Sequence, residues 1–272
     1  MADLRSIVAD LADEHADLDA VVAALPSPAW TRPTPAEGWT IADQIGHLAY
    51  FDERAVAALR DPDGFRAHVA EVHAAPGAHA EADVERARAL APPELLTWWR
   101  DARRHLLRAL AGEVPARVPW YGPDMSVASL VSARLMETWA HGQDVVDALG
   151  RSRTPTARLR HVCHLGVRAL PFSYTNRGLP VPEAPVRAEL VAPDGSTWRF
   201  GDPAATDVVS GAAVDFALVV TQRRHRDDTT LRAAGPVADQ WLSIAQAFAG
   251  PPGPGRAPTR PPDDREGTTA CD

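Results

Sequence analysis

The stretch ARLMETWAHGQDVVDALG, residues 133–150, decides the fold of this 272-residue chain. Its apolar residues recur at helical spacing, and Gly150 stands where a glycine commonly follows the end of a helix. Glu137 and His141 are four residues apart, so a helix places both side chains on one face. The residues alone allow three interpretations of this pair: a surface contact, a buried structural contact, or two ligands of a metal ion whose third ligand lies elsewhere.

Three further amphipathic helices are predicted before this one, because apolar residues repeat there at helical spacing. They cover residues 3–25, 40–60 and 93–111. The second begins with TIAD, which resembles a capping box with Asp43 at the third helical position. Ser126 caps the helix that ends at Gly150. Four amphipathic helices within 150 residues predict a four-helix bundle, and residues 61–91 are predicted to be a loop with a fragment of helix.

After Gly150 the sequence predicts a small α+β domain. VRAELVAP and TWRF, joined by a turn that contains Asp194 and Gly195, have the pattern of a β-hairpin. A DVVSG strand and a strand near residues 230–233 follow, and helices are predicted around residues 156–170, 211–222 and 236–249. The Pro/Gly-rich tail is predicted to be disordered. The predicted divisions are therefore residues 1–150, 151–250 and 251–272.

Composition argues against some classes of partner. The chain carries 28 basic and 36 acidic residues, which gives a formal net charge of −8. Nucleic acids and anionic membranes bind clustered positive charge, so neither is expected as a partner. Cys163 lies in a predicted helix and Cys271 in the tail, so no structural disulfide is expected. With no signal-peptide pattern and no long apolar run, we expect a soluble cytoplasmic protein.

A third ligand for Glu137 and His141 must come from a neighbouring helix at similar depth. His47 in ADQIGHLAYFDE is the candidate, because Ile45 and Leu48 beside it are apolar and place it near the edge of the core. Two imidazoles and a carboxylate leave coordination positions open, which is typical of a catalytic rather than a structural Zn²⁺ site. The same set forms the facial triad of non-haem Fe(II) enzymes, so the metal stays open. The alternative without metal is a core-edge histidine beside a helix-surface pair.

Two segments carry a resemblance to a known family. GWTIADQIGHLAYFDERA, residues 38–55, and the stretch quoted first resemble the DinB-type metal-binding bundle. More narrowly, they are similar to the mycothiol-dependent maleylpyruvate isomerase family and its uncharacterised metal-binding relatives. In that family a His on the second helix and a Glu-x-x-x-His on the fourth bind a divalent metal, usually zinc. These positions correspond to His47, Glu137 and His141.

The resemblance implies a fold and an activity, and it covers nearly all of the chain except the tail. It implies a DinB-like four-helix bundle followed by a small α+β domain similar to sterol-carrier folds. It also implies an enzyme that uses Zn²⁺ or another divalent metal together with a small thiol, mycothiol. The expected reaction is isomerisation of, or S-transfer to, a small electrophilic substrate. The oligomeric state stays open, a homodimer included.

Other residues receive secondary roles. Arg134, three residues before Glu137, is expected to orient that carboxylate, to contact an anionic substrate, or to form a helix-surface salt bridge. Asp144 either holds an imidazole N–H or faces solvent. The loop before the fourth helix places side chains near the mouth of the bundle, where they line a pocket or, as the favoured alternative, plug the core: Trp120, Tyr121 and Met125.

By the resemblance, Arg223 occupies the place of an arginine that the family carries in a Gly-Arg step near the active site. Gln222 stands here in place of that glycine and Arg224 follows, so the match holds to within one residue. An arginine at this place can hold a substrate carboxylate through two parallel hydrogen bonds.

Two other classes of function stay open. One is a metal-dependent hydrolase or lyase that works without a thiol. The other is a non-catalytic protein that binds a metal and an apolar ligand. The thiol-dependent reaction requires no protein nucleophile, and nothing near Cys163 in the sequence marks an activated thiolate.

Overall fold

The structure is a computed structural model that describes residues 3–75 and 82–259. The chain divides into two units, Met1–Thr154 and Pro155–Asp272. Residues 251–259 of the predicted tail contain no helix or strand. Residues 260–272 lie outside the described residues, so disorder there stays a prediction.

The described part of the first unit contains six α-helices, a short 3-10 helix (Ser27–Thr31) and one two-stranded ribbon. The helices are α1 (Leu4–Val22), α2 (Ile41–Arg60), α3 (Pro62–Ala74), α4 (Ala82–Arg88), α5 (Pro92–Ala111) and α6 (Val127–Ala148). The ribbon pairs β1 (Arg117–Val118) with β2 (Met125–Ser126) in antiparallel register. Helices α1 and α2 each pack against both α5 and α6. The four long helices therefore surround a shared core, and all four had been predicted within a few residues of these bounds.

Each of the four long helices contributes fully buried side chains to the core. Leu11 of α1, Leu48 of α2, Trp99 of α5 and Leu130 of α6 are all 0% exposed. Burying a side chain of this size contributes about 1.5–3 kcal/mol through the hydrophobic effect. The helical spacing of such residues predicted the bundle from the sequence.

The predicted helix ends are confirmed for α2 and α6. Thr40 Oγ1 accepts a hydrogen bond from the Asp43 N–H at 3.3 Å, and the Thr40 N–H donates to Asp43 Oδ2 at 2.8 Å. This is the capping box, and it satisfies two backbone donors at the start of α2. Ser126 Oγ accepts from the Ser129 N–H at 3.1 Å at the start of α6. Gly150, with φ at 64°, follows its end in the left-handed conformation that glycine adopts without strain.

Residues 61–91 are more helical than predicted. The side chain of Asp61 accepts a hydrogen bond from the Gly64 N–H at 3.0 Å, and Pro62 stands at the first helical position, so α3 is capped locally. Phe65 is buried, while most of the other side chains of α3 are not. A helix with so small an apolar face gives little periodic signal, which is why the sequence suggested mainly a loop there.

The described part of the second unit, residues 155–259, combines four α-helices with a four-stranded sheet. The elements are α7 (Leu159–Arg168), α8 (Leu170–Thr175), β3 (Val186–Val191), β4 (Thr197–Gly201), β5 (Asp207–Ala212), α9 (Ala213–Val220), β6 (Arg232–Ala234) and α10 (Pro236–Ile244). The sheet order is β4-β3-β5-β6, in which β3 pairs antiparallel with β4 and parallel with β5. The predicted hairpin is confirmed, with Gly195 at φ 83° in its turn.

No helix among the residues that the structure describes is both long enough and apolar enough to cross a membrane.

Candidate metal centre

The structure brings together the three side chains that were predicted as metal ligands. His47 lies on α2, and Glu137 and His141 lie on consecutive turns of α6. One nitrogen or oxygen atom of each can be chosen so that all three atoms lie within 4.8 Å of one another. Because α2 packs against α6, the third side chain reaches the pair across the interface between these helices.

Close contacts order these three side chains. Nε2 of His141 lies 3.1 Å from Oε2 of Glu137, and the imidazole rings of His47 and His141 have centroids 4.4 Å apart. The exposed fractions of the side chains are 10% for His141 and 21% for Glu137. The donors thus sit at the edge of the core and stay partly accessible to solvent.

The carboxyl of Glu137 is held in its ionised form. Burial raises its pKa, but a hydrogen bond with His141 and the positive charges of the neighbouring imidazoles and of Arg134 outweigh burial and lower the pKa to about 2. Glu137 is therefore an anionic oxygen donor across the physiological range of pH.

A buried amide orients His141. Oε1 of Gln44 contacts Nδ1 of His141, and the Gln44 side-chain amide donates to Thr34 Oγ1 at 2.9 Å. The Thr34 hydroxyl in turn donates to the carbonyl oxygen of Trp39 at 2.9 Å. Because an amide oxygen only accepts, the contact with Gln44 places a proton on Nδ1, and Nε2 is the ring nitrogen that faces Glu137. Metal-binding histidines commonly have such a partner on the other ring nitrogen.

Gln44 was not among the site residues predicted from the sequence. It lies three residues before His47 on α2, so helical spacing places both side chains on the same face. That spacing was an available signal, although nothing in the sequence shows that its partner is on α6.

Aromatic rings contact the two imidazoles. Trp39 stacks on His141 with an interplanar angle of 21° and a centroid distance of 5.9 Å, and it meets His47 edge-on at 5.3 Å. The Phe51 ring lies 4.6 Å from that of His47. These rings restrict the imidazole orientations and give the site apolar walls.

Trp120 and Tyr121 extend the wall beyond Phe51. Trp120 stacks on the buried ring of Phe65 at 5.5 Å, and Tyr121 has its ring 5.8 Å from Phe51. The Tyr121 hydroxyl lies 3.2 Å from Nε2 of His68. Both side chains are half-buried. Trp120 therefore plugs the core against Phe65, as the favoured alternative predicted, and both rings also continue the aromatic wall.

Arg134 is not a surface residue. It is 2% exposed, its Nε donates to Asp52 Oδ1 at 2.9 Å, and its Nη2 donates to the Leu48 carbonyl oxygen at 3.3 Å. The alternative of a helix-surface salt bridge was therefore wrong, because the partner is a buried carboxylate on α2. Asp144 is 0% exposed, so the alternative in which it faces solvent was also wrong.

Arg223 lies in the second unit, directly after α9. Gln222 before it has φ at 59°, and among the described residues it is the only non-glycine with positive φ. The Arg223 N–H donates to the Leu218 carbonyl oxygen at 2.7 Å, and the Gln222 N–H to that of Val219 at 2.9 Å, which is the Schellman pattern. Gln222 thus occupies the left-handed position where glycine is usual.

Comparison with known proteins agrees with this architecture. The family described as the mycothiol maleylpyruvate isomerase N-terminal domain matches residues 11–146. Two Mycobacterium tuberculosis proteins from different strains, the uncharacterized proteins MT0041 and Rv0036c, are 48% identical to this chain over 257 residues. The alignment covers 94% of this chain and 100% of each relative.

Two crystal structures share the fold. Mycothiol-dependent maleylpyruvate isomerase and a mutant of it match 85% of this chain and 93% of their own, with TM-scores of 0.55 and 0.56. The sequence identity is 16% in both, so this likeness concerns the fold alone.

Proposed function

The chain belongs to the mycothiol maleylpyruvate isomerase N-terminal domain family, and on that premise we propose that it is a metal-dependent enzyme that uses a small thiol. The proposed thiol is mycothiol, and the proposed reaction is isomerisation of, or S-transfer to, a small electrophilic substrate. The observation that carries the proposal is the convergence of His47, Glu137 and His141 within 4.8 Å.

The donor set fits a divalent transition metal. Two imidazole nitrogens and one carboxylate oxygen suit Zn²⁺, whereas Mg²⁺ and Ca²⁺ prefer oxygen donors throughout. Fe(II) accepts the same two-histidine, one-carboxylate set and stays the second choice. Three protein ligands leave at least one coordination position for an exogenous molecule, which favours a catalytic role over a structural one.

A divalent ion at this site supplies a Lewis acid, which lowers the pKa of a coordinated thiol or water. The side chains of this chain prepare for that ion in three ways. Glu137 keeps its negative charge, with a pKa near 2. Gln44 holds the proton of His141 on Nδ1, and Trp39 restrains both imidazole rings.

Arg223 is proposed to hold an anionic group of the substrate. The positive φ of Gln222 supports this assignment, because the residue before Arg223 adopts the left-handed conformation that glycine favours. Cys163 is not proposed as a nucleophile, because it is 0% exposed and burial raises the pKa of its thiol.

The first test is metal analysis of the purified protein and of three variants. We expect about one zinc per chain in the wild type and loss of zinc in His47→Ala and His141→Ala. His105→Ala is the matched control, because His105 is an exposed histidine on α5 of the same unit. Full zinc content in either ligand variant would contradict the proposed site.

The second test separates the three classes of function by titrating mycothiol into holo and apo protein. Saturable binding that requires the metal supports the proposal. Turnover of an electrophile or ester with metal but without thiol would instead favour the hydrolase or lyase, since the open position also suits a bound water. Ligand binding that survives removal of the metal would favour the non-catalytic binding protein.

A further inference from the structure

Three charged or ionisable side chains form a buried cluster beside the proposed metal site. Asp52 on α2 receives the hydrogen bond from Arg134 on α6 at 2.9 Å, and Nε2 of His15 on α1 approaches its other oxygen at 3.5 Å. The exposed fractions are 0% for Asp52, 2% for Arg134 and 1% for His15. Arg134 and His15 together lower the pKa of the Asp52 carboxyl although burial raises it, so the pair is ionised.

Stability alone does not explain such a cluster. Removing charges from water costs free energy, and replacement of a buried ion pair by apolar side chains of similar volume is often neutral or stabilising. Polar atoms in this cluster also remain without hydrogen bonds, among them Oδ2 of Asp52 and both ring nitrogens of His15. A buried pair that contributes little to stability can instead fix how two elements register against each other.

The ion pair of Asp52 and Arg134 connects α2 to α6, the two helices that carry the proposed ligands. Arg134 lies one turn before Glu137 on α6, and its second hydrogen bond, at 3.3 Å, goes to the carbonyl oxygen of Leu48, the residue after His47. The guanidinium of Arg134, one turn before Glu137 on α6, is thereby bonded to the α2 backbone next to His47. Its planar group makes both contacts with α2 at defined angles, so it restrains sliding and rotation of one helix on the other.

We propose that Asp52 and Arg134 are positioning residues that set the distance between His47 on α2 and the ligand pair on α6. This inference rests on the proposed function, because it concerns metal binding at that site. In this role Arg134 acts on the ligands through helix register. A three-ligand site needs this restraint because its ligand geometry must be held to within about 0.5 Å.

The test compares the zinc affinities of two kinds of variant, measured by competition with a chromophoric chelator. Asp52→Asn and Arg134→Met should each weaken zinc binding by about 10–100-fold, the usual range for groups that orient ligands. The matched control is Asp19→Asn. Asp19 pairs with Arg100 at 2.6 Å and also with Arg103, and these contacts join α1 to α5, neither of which carries a proposed ligand. The control should lower stability while its zinc affinity stays within threefold of the wild type.

A double variant keeps the test decisive if a single variant unfolds. Asp52→Leu combined with Arg134→Met removes both charges and restores apolar packing, so the melting temperature of its apo form should approach that of the wild type. Its zinc affinity should remain 10–100-fold weaker. A double variant that binds zinc as tightly as the wild type would overturn the positioning role, as would an Asp19→Asn control that loses as much affinity. A wild type that binds no zinc would refute the proposed function itself, which is a different result.

Discussion

Replacing Gln44 with Leu should weaken metal binding through the orientation of one imidazole. Gln44 is 0% exposed, so Leu of similar volume fills its place in the core. In the wild type, the Gln44 amide donates a hydrogen bond to Thr34 Oγ1 at 2.9 Å and its oxygen contacts Nδ1 of His141. Leu can make neither contact. The imidazole is then free to take either tautomer and to rotate, so Nε2 no longer faces Glu137 in a fixed state.

The substitution affects two quantities, the metal affinity and the folding stability of the apo protein. Loss of such a partner typically weakens metal affinity by about 10–100-fold, which corresponds to about 1.4–2.7 kcal/mol. In the apo protein, a buried N–H left without an acceptor costs about 1–3 kcal/mol of folding stability. The variant should therefore show both a weaker zinc affinity and a lower midpoint of urea unfolding.

Gln44→Glu is the comparison that separates orientation from stability. A carboxylate accepts from the imidazole N–H more strongly than an amide does and raises the basicity of the ligand nitrogen. Zinc affinity should equal or exceed that of the wild type, while the added buried charge lowers the stability of the apo protein. Chelator competition gives the first quantity and urea unfolding of the apo form the second. Wild-type affinity in Gln44→Leu, or equal losses of affinity in both variants, would refute the reasoning.

Three further outcomes are expected. The pKa of Glu137 is lowered from 4.5 to about 2. The stabilisation by its ionised carboxylate is therefore fully present above pH 4.5 and is lost as the pH falls through 2. An NMR titration of the Glu137 carboxyl in the apo protein with a midpoint at or above 4.5 would contradict this. Gly150→Ala should cost about 1 kcal/mol because φ is 64° there. Thermal unfolding of Gly112→Ala, whose φ is −91° at the end of α5, is the control and should show a smaller loss. In a Cys271→Ser background, a thiol reagent should label Cys163 only after denaturation, since burial raises its pKa; rapid labelling of the native protein would disprove the buried assignment.

Local signals in the sequence were sufficient for the ends of the main helices. The capping box of Thr40 and Asp43 and the glycine after α6 involve residues within a few positions of each other, so each signal can be recognised without knowledge of the tertiary fold. The segment that forms α3 has a local start signal in Asp61 and Pro62, but Phe65 is its one buried side chain, so no amphipathic repeat marked it as a helix. Helices that bury little apolar surface show little periodicity.

The candidate site was predictable to the extent that it is local. Glu137 and His141 share one helix face by spacing alone. The choice of His47 as third ligand rested on its apolar neighbours, and the family resemblance supported it. The partners of Arg134 could not be predicted, because Asp52 is 82 positions away and the choice of partner depends on how α2 and α6 pack laterally. The same holds for Gln44 and His141, which are 97 positions apart.

The division of the site between two helices has a kinetic consequence. Glu137 and His141 stay together as long as α6 remains helical, but His47 leaves them whenever α2 and α6 separate, even if neither helix unwinds. A bound ion would then be held by two donors for the duration of each opening, and its escape would be governed by the frequency of these openings. The rate of exchange with a labelled ion would therefore report the breathing of α2 against α6, a motion that equilibrium unfolding does not resolve.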